Sequence, residues 1–133
     1  MTLSDDIRKK ILVVDDNPAF LDLVDMVFAN EFLVVRAANG REGLEAARRE
    51  NPSLILLDVV MPEVSGLELL GELQAEARTR TIPVIVLTAS RLDEASRRRV
   101  QTCANVAGLL SKPCGVETLR SRIRAVLEDG HEP

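Results

Sequence analysis

Leu54-Ile55-Leu56-Leu57-Asp58-Val59-Val60-Met61-Pro62-Glu63-Val64-Ser65-Gly66 is the most informative segment of the chain. Four apolar residues run straight into a carboxylate, the pattern of a strand buried on both faces with Asp58 at its carboxyl end. The residues that follow suit a tight strand-to-helix connection, because Pro62 fixes φ and Gly66 tolerates positive φ. The same pattern recurs on either side. Asp15 and Asp16 follow Ile11-Leu12-Val13-Val14, Thr88 follows Val84-Ile85-Val86-Leu87, and Lys112-Pro113 follows Leu109-Leu110-Ser111. If the runs are parallel strands, all these polar groups emerge at one sheet edge, outside the carboxyl ends, where open α/β sheets bind ligands.

Short apolar runs alternate with helical patterns along the whole chain, which predicts βαβ units and a parallel sheet. Strands are expected near residues 9–14, 32–37, 54–58, 83–88 and 107–111. The first helix starts at Asn17-Pro18, with proline where a missing N–H costs nothing, and Phe20, Leu23, Val24, Val27 and Phe28 form its apolar stripe. Leu21 and Met26 fall at the margins of that stripe, as edge packing or as a contact for a partner. Asn39 caps a second helix that Asn51-Pro52 ends. A third runs from about Ser65 to Ala77, carrying Leu67, Leu70 and Leu73. The fourth, Leu92 to Ala104, offers only Leu92, Ala95, Val100 and Cys103 to a core and should be the most loosely held. The fifth, Val116 to Glu128, is well anchored by Val116, Leu119, Ile123, Val126 and Leu127.

A chain of 133 residues, 46% of them apolar, is the size of one domain, here with a core at about 8–128. A formal charge of −4 argues against a protein built mainly for non-specific nucleic-acid binding. Arg91, Arg97, Arg98, Arg99, Arg120 and Arg124 read as solvated helix faces or as a surface for an acidic partner. The longest apolar runs are four to six residues, against the roughly 20 needed to cross a bilayer. The N-terminus lacks the pattern of a secretory signal, so a cytoplasmic protein is expected. Cys103 and Cys114 match no metal-ligand spacing and are expected to stay as thiols, and His131 lies in the tail.

Asp15 and Asp16, facing Asp58, would repel one another in a partly desolvated cleft, and a hard cation removes the conflict. Magnesium, which takes few carboxylates and keeps water and phosphate ligands, fits this set better than calcium or zinc. Asp58 can then act as a nucleophile and form an acyl phosphate. Lys112 supplies a point charge and Thr88 a hydrogen bond to the phosphoryl oxygens, the charge stabilisation that phosphoryl transfer requires.

Asp15-Asp16, Asp58 with Met61-Pro62 and Gly66, Thr88-Ala89 and Lys112-Pro113, in this order, resemble the receiver domain of two-component response regulators over about residues 8–128. The resemblance implies a three-layer, flavodoxin-like α/β sandwich with five helices and a five-stranded parallel sheet in the order 2-1-3-4-5. It implies transfer of a phosphoryl group from a histidine kinase or histidine phosphotransfer protein to Asp58. By the same carry-over, Asp16, Asp58 and the Val60 carbonyl hold Mg2+ directly, Asp15 acts largely through water, and Lys112 and Thr88 meet the phosphoryl oxygens. Helix 4, strand 5 and helix 5 would form the face altered for partner binding, and a homodimer through that face is one arrangement it allows. Kinase docking would use helix 1 and the loop after strand 5. The chain would be a switch, acting only on its own aspartate, with no output domain of its own.

Several positions depart from that family. Receivers usually carry an aromatic residue or His where Leu109 stands, so coupling is expected instead through the loop from Thr88 to Leu92 and the fourth helix. Asn105-Val106 replace a common Gly-Ala pair. Val60 and Ser90, beside the path of an attacking water, orient it poorly, which predicts a long-lived phosphoryl group. Whether Lys112-Pro113 is cis or trans is left open. A rival reading is a receiver-like interaction module that is never phosphorylated. Haloacid dehalogenase-like phosphatases need an Asp-x-Asp pair after the first strand, and flavodoxins a hydroxyl-rich loop there; this chain has Asp15-Asp16-Asn17-Pro18.

Overall fold

In the computed structural model, which describes residues 8–59, 66–88, 92–112 and 114–128, the apolar runs form five parallel strands. These are β1 (Lys9–Val14), β2 (Phe32–Ala37), β3 (Leu54–Asp58), β4 (Val84–Thr88) and β5 (Val106–Ser111), ordered β2-β1-β3-β4-β5. Between and after them lie α1 (Pro18–Phe28), α2 (Gly40–Glu50), α3 (Gly66–Ala75), α4 (Glu94–Thr102) and α5 (Val116–Glu128). No helix among the described residues is long and apolar enough to cross a membrane.

Side chains alternate across a strand, so each central strand feeds two cores. Ile11, Val13, Leu54, Leu56, Ile85 and Leu87 face α1 and α5, joined by Val24, Phe28, Leu119 and Ile123. Leu12, Val14, Ile55, Leu57, Val84 and Val86 face α2, α3 and α4. β3 and β4 are buried at every position, whereas the edge strands β2 and β5 are only partly covered. That is why their sequences are less uniformly apolar.

Helix ends follow local chemistry. Asn17 caps α1 by accepting the Ala19 N–H, with Pro18 in the first turn. Asn39 accepts the Glu42 N–H to start α2, and Asn51 closes it in the left-handed region, φ 47° and ψ 59°, a conformation asparagine tolerates. Asp93 caps α4 through the Ser96 N–H, so that helix begins at Glu94 rather than Leu92 and stops at Thr102 rather than Ala104. α3 ends at Ala75, two residues short of expectation. There Thr79, fully buried, donates its hydroxyl to the Leu73 carbonyl and tightens the exit turn.

Two helix faces differ from expectation. On α1 the buried residues are Leu21, Val24 and Phe28, flanked by Phe20 and Val27, while Leu23 and Met26 point outward at 42% and 74% exposure. On α5, Val116 is exposed and Leu119, Ile123 and Val126 are buried. α4 buries Val100 alone, with Leu92 and Cys103 packed partly at its ends and Ala95 exposed. One such side chain contributes about 1.5–3 kcal/mol of burial, against three on α5, so α4 is weakly anchored. Arg120 is not simply solvated: it bridges Glu31 and Glu117, while Arg124 also reaches Glu31. Cys103 and Cys114 are free and half-buried.

Candidate functional site

Parallel pairing brings the strand ends level. Val14 pairs with Ala37 and Leu57, Asp58 with Leu87, and Thr88 with Ser111. Asp15, Asp58, Thr88 and Lys112 therefore lie at or just beyond one edge of the sheet. The Asp15 N–H donates to the Ala37 carbonyl at 3.0 Å, continuing the β1–β2 ladder, and the Lys112 N–H donates to the Thr88 carbonyl at 2.9 Å, doing the same for β4–β5.

One carboxylate oxygen from each of Asp15, Asp16 and Asp58 lies within 4.8 Å of the others. Asp15 and Asp58 are buried, Asp16 exposed. Because Asn17 is the cap of α1, the two preceding acids are not needed to start the helix. Asp15 accepts the Asn17 N–H on Oδ1 at 2.9 Å and the Lys112 ammonium on Oδ2 at 2.6 Å, so both its oxygens are engaged. Lys112 Nζ is also 3.6 Å from Asp58 Oδ2 and 4.4 Å from the centre of the Phe20 ring.

Three carboxylates against one ammonium leave the pocket anionic in a poorly hydrated place, where like charges repel strongly. Hard oxygen donors in this number, with one acid open to solvent, are the chemistry of a divalent cation that keeps part of its water shell. Thr88 is buried at the end of β4, one residue past the partner of Asp58.

Gly66 has a different reason from the one expected. Its φ lies outside the left-handed range, but a Cβ there would sit 2.4 Å from Val59 Cα and 2.5 Å from the Asp58 carbonyl oxygen. Glycine lets the first turn of α3 touch the backbone that carries Asp58. Val60, Met61, Pro62, Ala89, Ser90, Arg91, Pro113 and His131 lie outside the described residues. Reading the sequence assigned Phe20 to the core stripe alone and missed its contact with Lys112. The available signal was its place in the first turn of α1, four residues after Asp16.

The family described as the response regulator receiver domain matches residues 11–124. The chain is 37% identical over 116 residues to the polar-differentiation response regulator DivK of Brucella anthropi, covering 85% of this chain and 94% of the relative. It is 35% identical over 119 residues to the protein PilH of Pseudomonas aeruginosa, covering 89% and 97%. Among solved structures, a CheY-like receiver domain protein from Methanospirillum hungatei superposes with TM-score 0.84 at 26% identity, covering 92% of this chain and 95% of that one. The chemotaxis protein CheY4 of Vibrio cholerae does so with TM-score 0.80 at 28% identity, covering 90% and 98%. With the sheet order, the carboxylate cluster and these relatives in agreement, the chain belongs to the receiver domains of response regulators in two-component signalling.

Proposed function

We propose that this receiver is a phosphoacceptor switch in which Asp58 takes a phosphoryl group from a histidine kinase or histidine phosphotransfer protein. The observation that carries the reading is Lys112 Nζ lying 2.6 Å from Asp15 and 3.6 Å from Asp58 at the edge where three carboxylates converge. An Asp58 oxygen attacks phosphorus, the P–N bond of the phosphohistidine breaks, and the imidazole leaves as it is protonated. Lys112 and the Thr88 hydroxyl hold the phosphoryl oxygens. Asp16, Asp58 and the Val60 carbonyl would hold Mg2+, which supplies neutralising charge when bound. Asp15, whose two oxygens already accept from Asn17 and Lys112, contributes mainly through water.

The phosphoryl group then biases α4, β5 and α5 toward a partner-binding arrangement. α4, with one buried side chain, is the element most easily displaced. Leu109, half-buried against the core under α3 and α4, stands in place of the usual ring. The protein turns over no substrate other than its own aspartyl phosphate. It works in the cytoplasm, where ATP-dependent kinases make phosphohistidine.

Incubation with acetyl phosphate and Mg2+, followed by intact-mass measurement, tests the proposal. The chain should gain one phosphoryl group, Asp58→Asn should gain none, and a chelator should abolish the gain. An unmoved mass for the unaltered chain, in the presence of metal, defeats the reading in favour of an interaction module that is never phosphorylated.

A further inference from the structure

The chain has three phenylalanines. Phe28 and Phe32 pack on each other with ring centroids 6.0 Å apart, and Phe28 also faces the Arg120 guanidinium at 5.3 Å. Phe20 stands apart, with its face 4.4 Å from Lys112 Nζ. That ammonium thus has carboxylates on two sides, Asp15 at 2.6 Å and Asp58 at 3.6 Å, and a π face on a third.

Lysine is a point charge on a flexible four-carbon stem, and unrestrained it samples many rotamers. The Lys112 side chain here is only 12% exposed, and an aromatic face attracts a desolvated ammonium more strongly than a hydrated one. A leucine at position 20 would fill the same edge of the core without attracting the charge. We infer that Phe20 is a positioning residue, whose ring, together with Asp15, holds the Lys112 ammonium facing Asp58 before any phosphoryl group arrives. The inference rests on the proposed phosphoacceptor role of Asp58. It also gives this receiver an aromatic contact to its site from α1, whereas β5 carries Leu109 at the usual aromatic position.

The test replaces Phe20, in the full chain, by phenylalanines carrying one, two and three ring fluorines, which drain the π face while keeping its shape. With saturating Mg2+, the logarithm of the acetyl phosphate phosphorylation rate should fall in step with the cation-binding strength of the ring. The trifluorinated protein should end about three- to tenfold below the starting chain, the factor a partly buried cation–π contact carries. Beryllofluoride affinity should fall in parallel, as should the order parameter of the Lys112 Cε methylene in metal-free protein. Phe20→Leu should reproduce the loss and Phe20→Tyr restore it. A flat fluorine series in a chain that is phosphorylated overturns the inference and leaves the proposed function standing. A chain that takes no phosphoryl group overturns both.

Discussion

Replacing Gly66 by alanine places a methyl carbon 2.4 Å from Val59 Cα and 2.5 Å from the Asp58 carbonyl oxygen. Carbon atoms rest at about 3.5–4.0 Å, so α3 and the end of β3 must separate by about 1 Å. Both neighbours are backbone, with no flexible side-chain end to swing away. Forced overpacking of this kind typically costs about 1–3 kcal/mol. In urea, with a slope of about 1–3 kcal/mol per molar, the unfolding midpoint should drop by roughly 1 M. The same displacement falls on the strand end that aims Asp58, and a misplacement of about 1 Å can slow a reaction by roughly a hundredfold. The acetyl phosphate rate of Gly66→Ala should therefore fall by about ten- to a hundredfold, more than its loss of stability alone explains. Gly71, on the same helix, is the matched control. A Cβ there meets nothing within 4 Å, so Gly71→Ala should stabilise the protein by about 0.5–1 kcal/mol and leave the rate unchanged. Equal midpoints and equal rates for the two variants would refute the close-approach argument.

Lys112→Met removes the ammonium that offsets Asp15 and competes with any cation for the three carboxylates. Mg2+ should bind roughly tenfold more tightly, while phosphorylation collapses; weaker Mg2+ binding by calorimetry would contradict this electrostatic account. The backbone N–H of Ser96, which Asp93 accepts at 2.7 Å, holds that carboxyl below the usual aspartate range. Because the folded value is the lower one, the cap is fully formed above about pH 4, the ordinary aspartate value, and is lost as pH falls through the folded value. A carboxyl-carbon NMR titration with its midpoint at or above the ordinary value would show the cap to be ineffective. Finally, beryllofluoride binding should change amide exchange in residues 92–104, which contain α4, more than in α5; identical protection with and without it would remove α4 as the switch element.

The central strands were legible because β3, β4 and β1 from Ile11 onward are buried on both faces, so composition alone marks them. Pro18, the Asn39 cap and Asn51-Pro52 announced their helix ends through local chemistry that acts within a few residues. α1 was harder. Its apolar residues at 20, 21, 23, 24, 26, 27 and 28 wrap most of the helix, so at about 100° per residue no single stripe stands out. Only packing on the sheet, above all on β2, where Phe28 meets Phe32, selects the arc of Leu21, Val24 and Phe28 and leaves Leu23 outside. The convergence of Asp15, Asp16, Asp58 and Lys112 followed from the order of strands and loops. The seat of the ammonium did not, because it depends on a ring and two carboxylates from three separate segments. The close approach at Gly66 was equally invisible, since a sequence shows that a side chain is missing but not what would strike it.

The hydrogen bond from the Lys112 N–H to the Thr88 carbonyl, at 2.9 Å, prolongs the pairing of Thr88 with Ser111. It makes the last rungs of β4 and β5 a single jaw. Anything that draws the threonine inward tugs the lysine's main chain with it, and a shove from outside on the tip of β5 travels back along the same rung. On the proposed role of Asp58, a protein docked on that flank would thus alter how firmly the pocket holds a phosphoryl group without touching a single acidic residue.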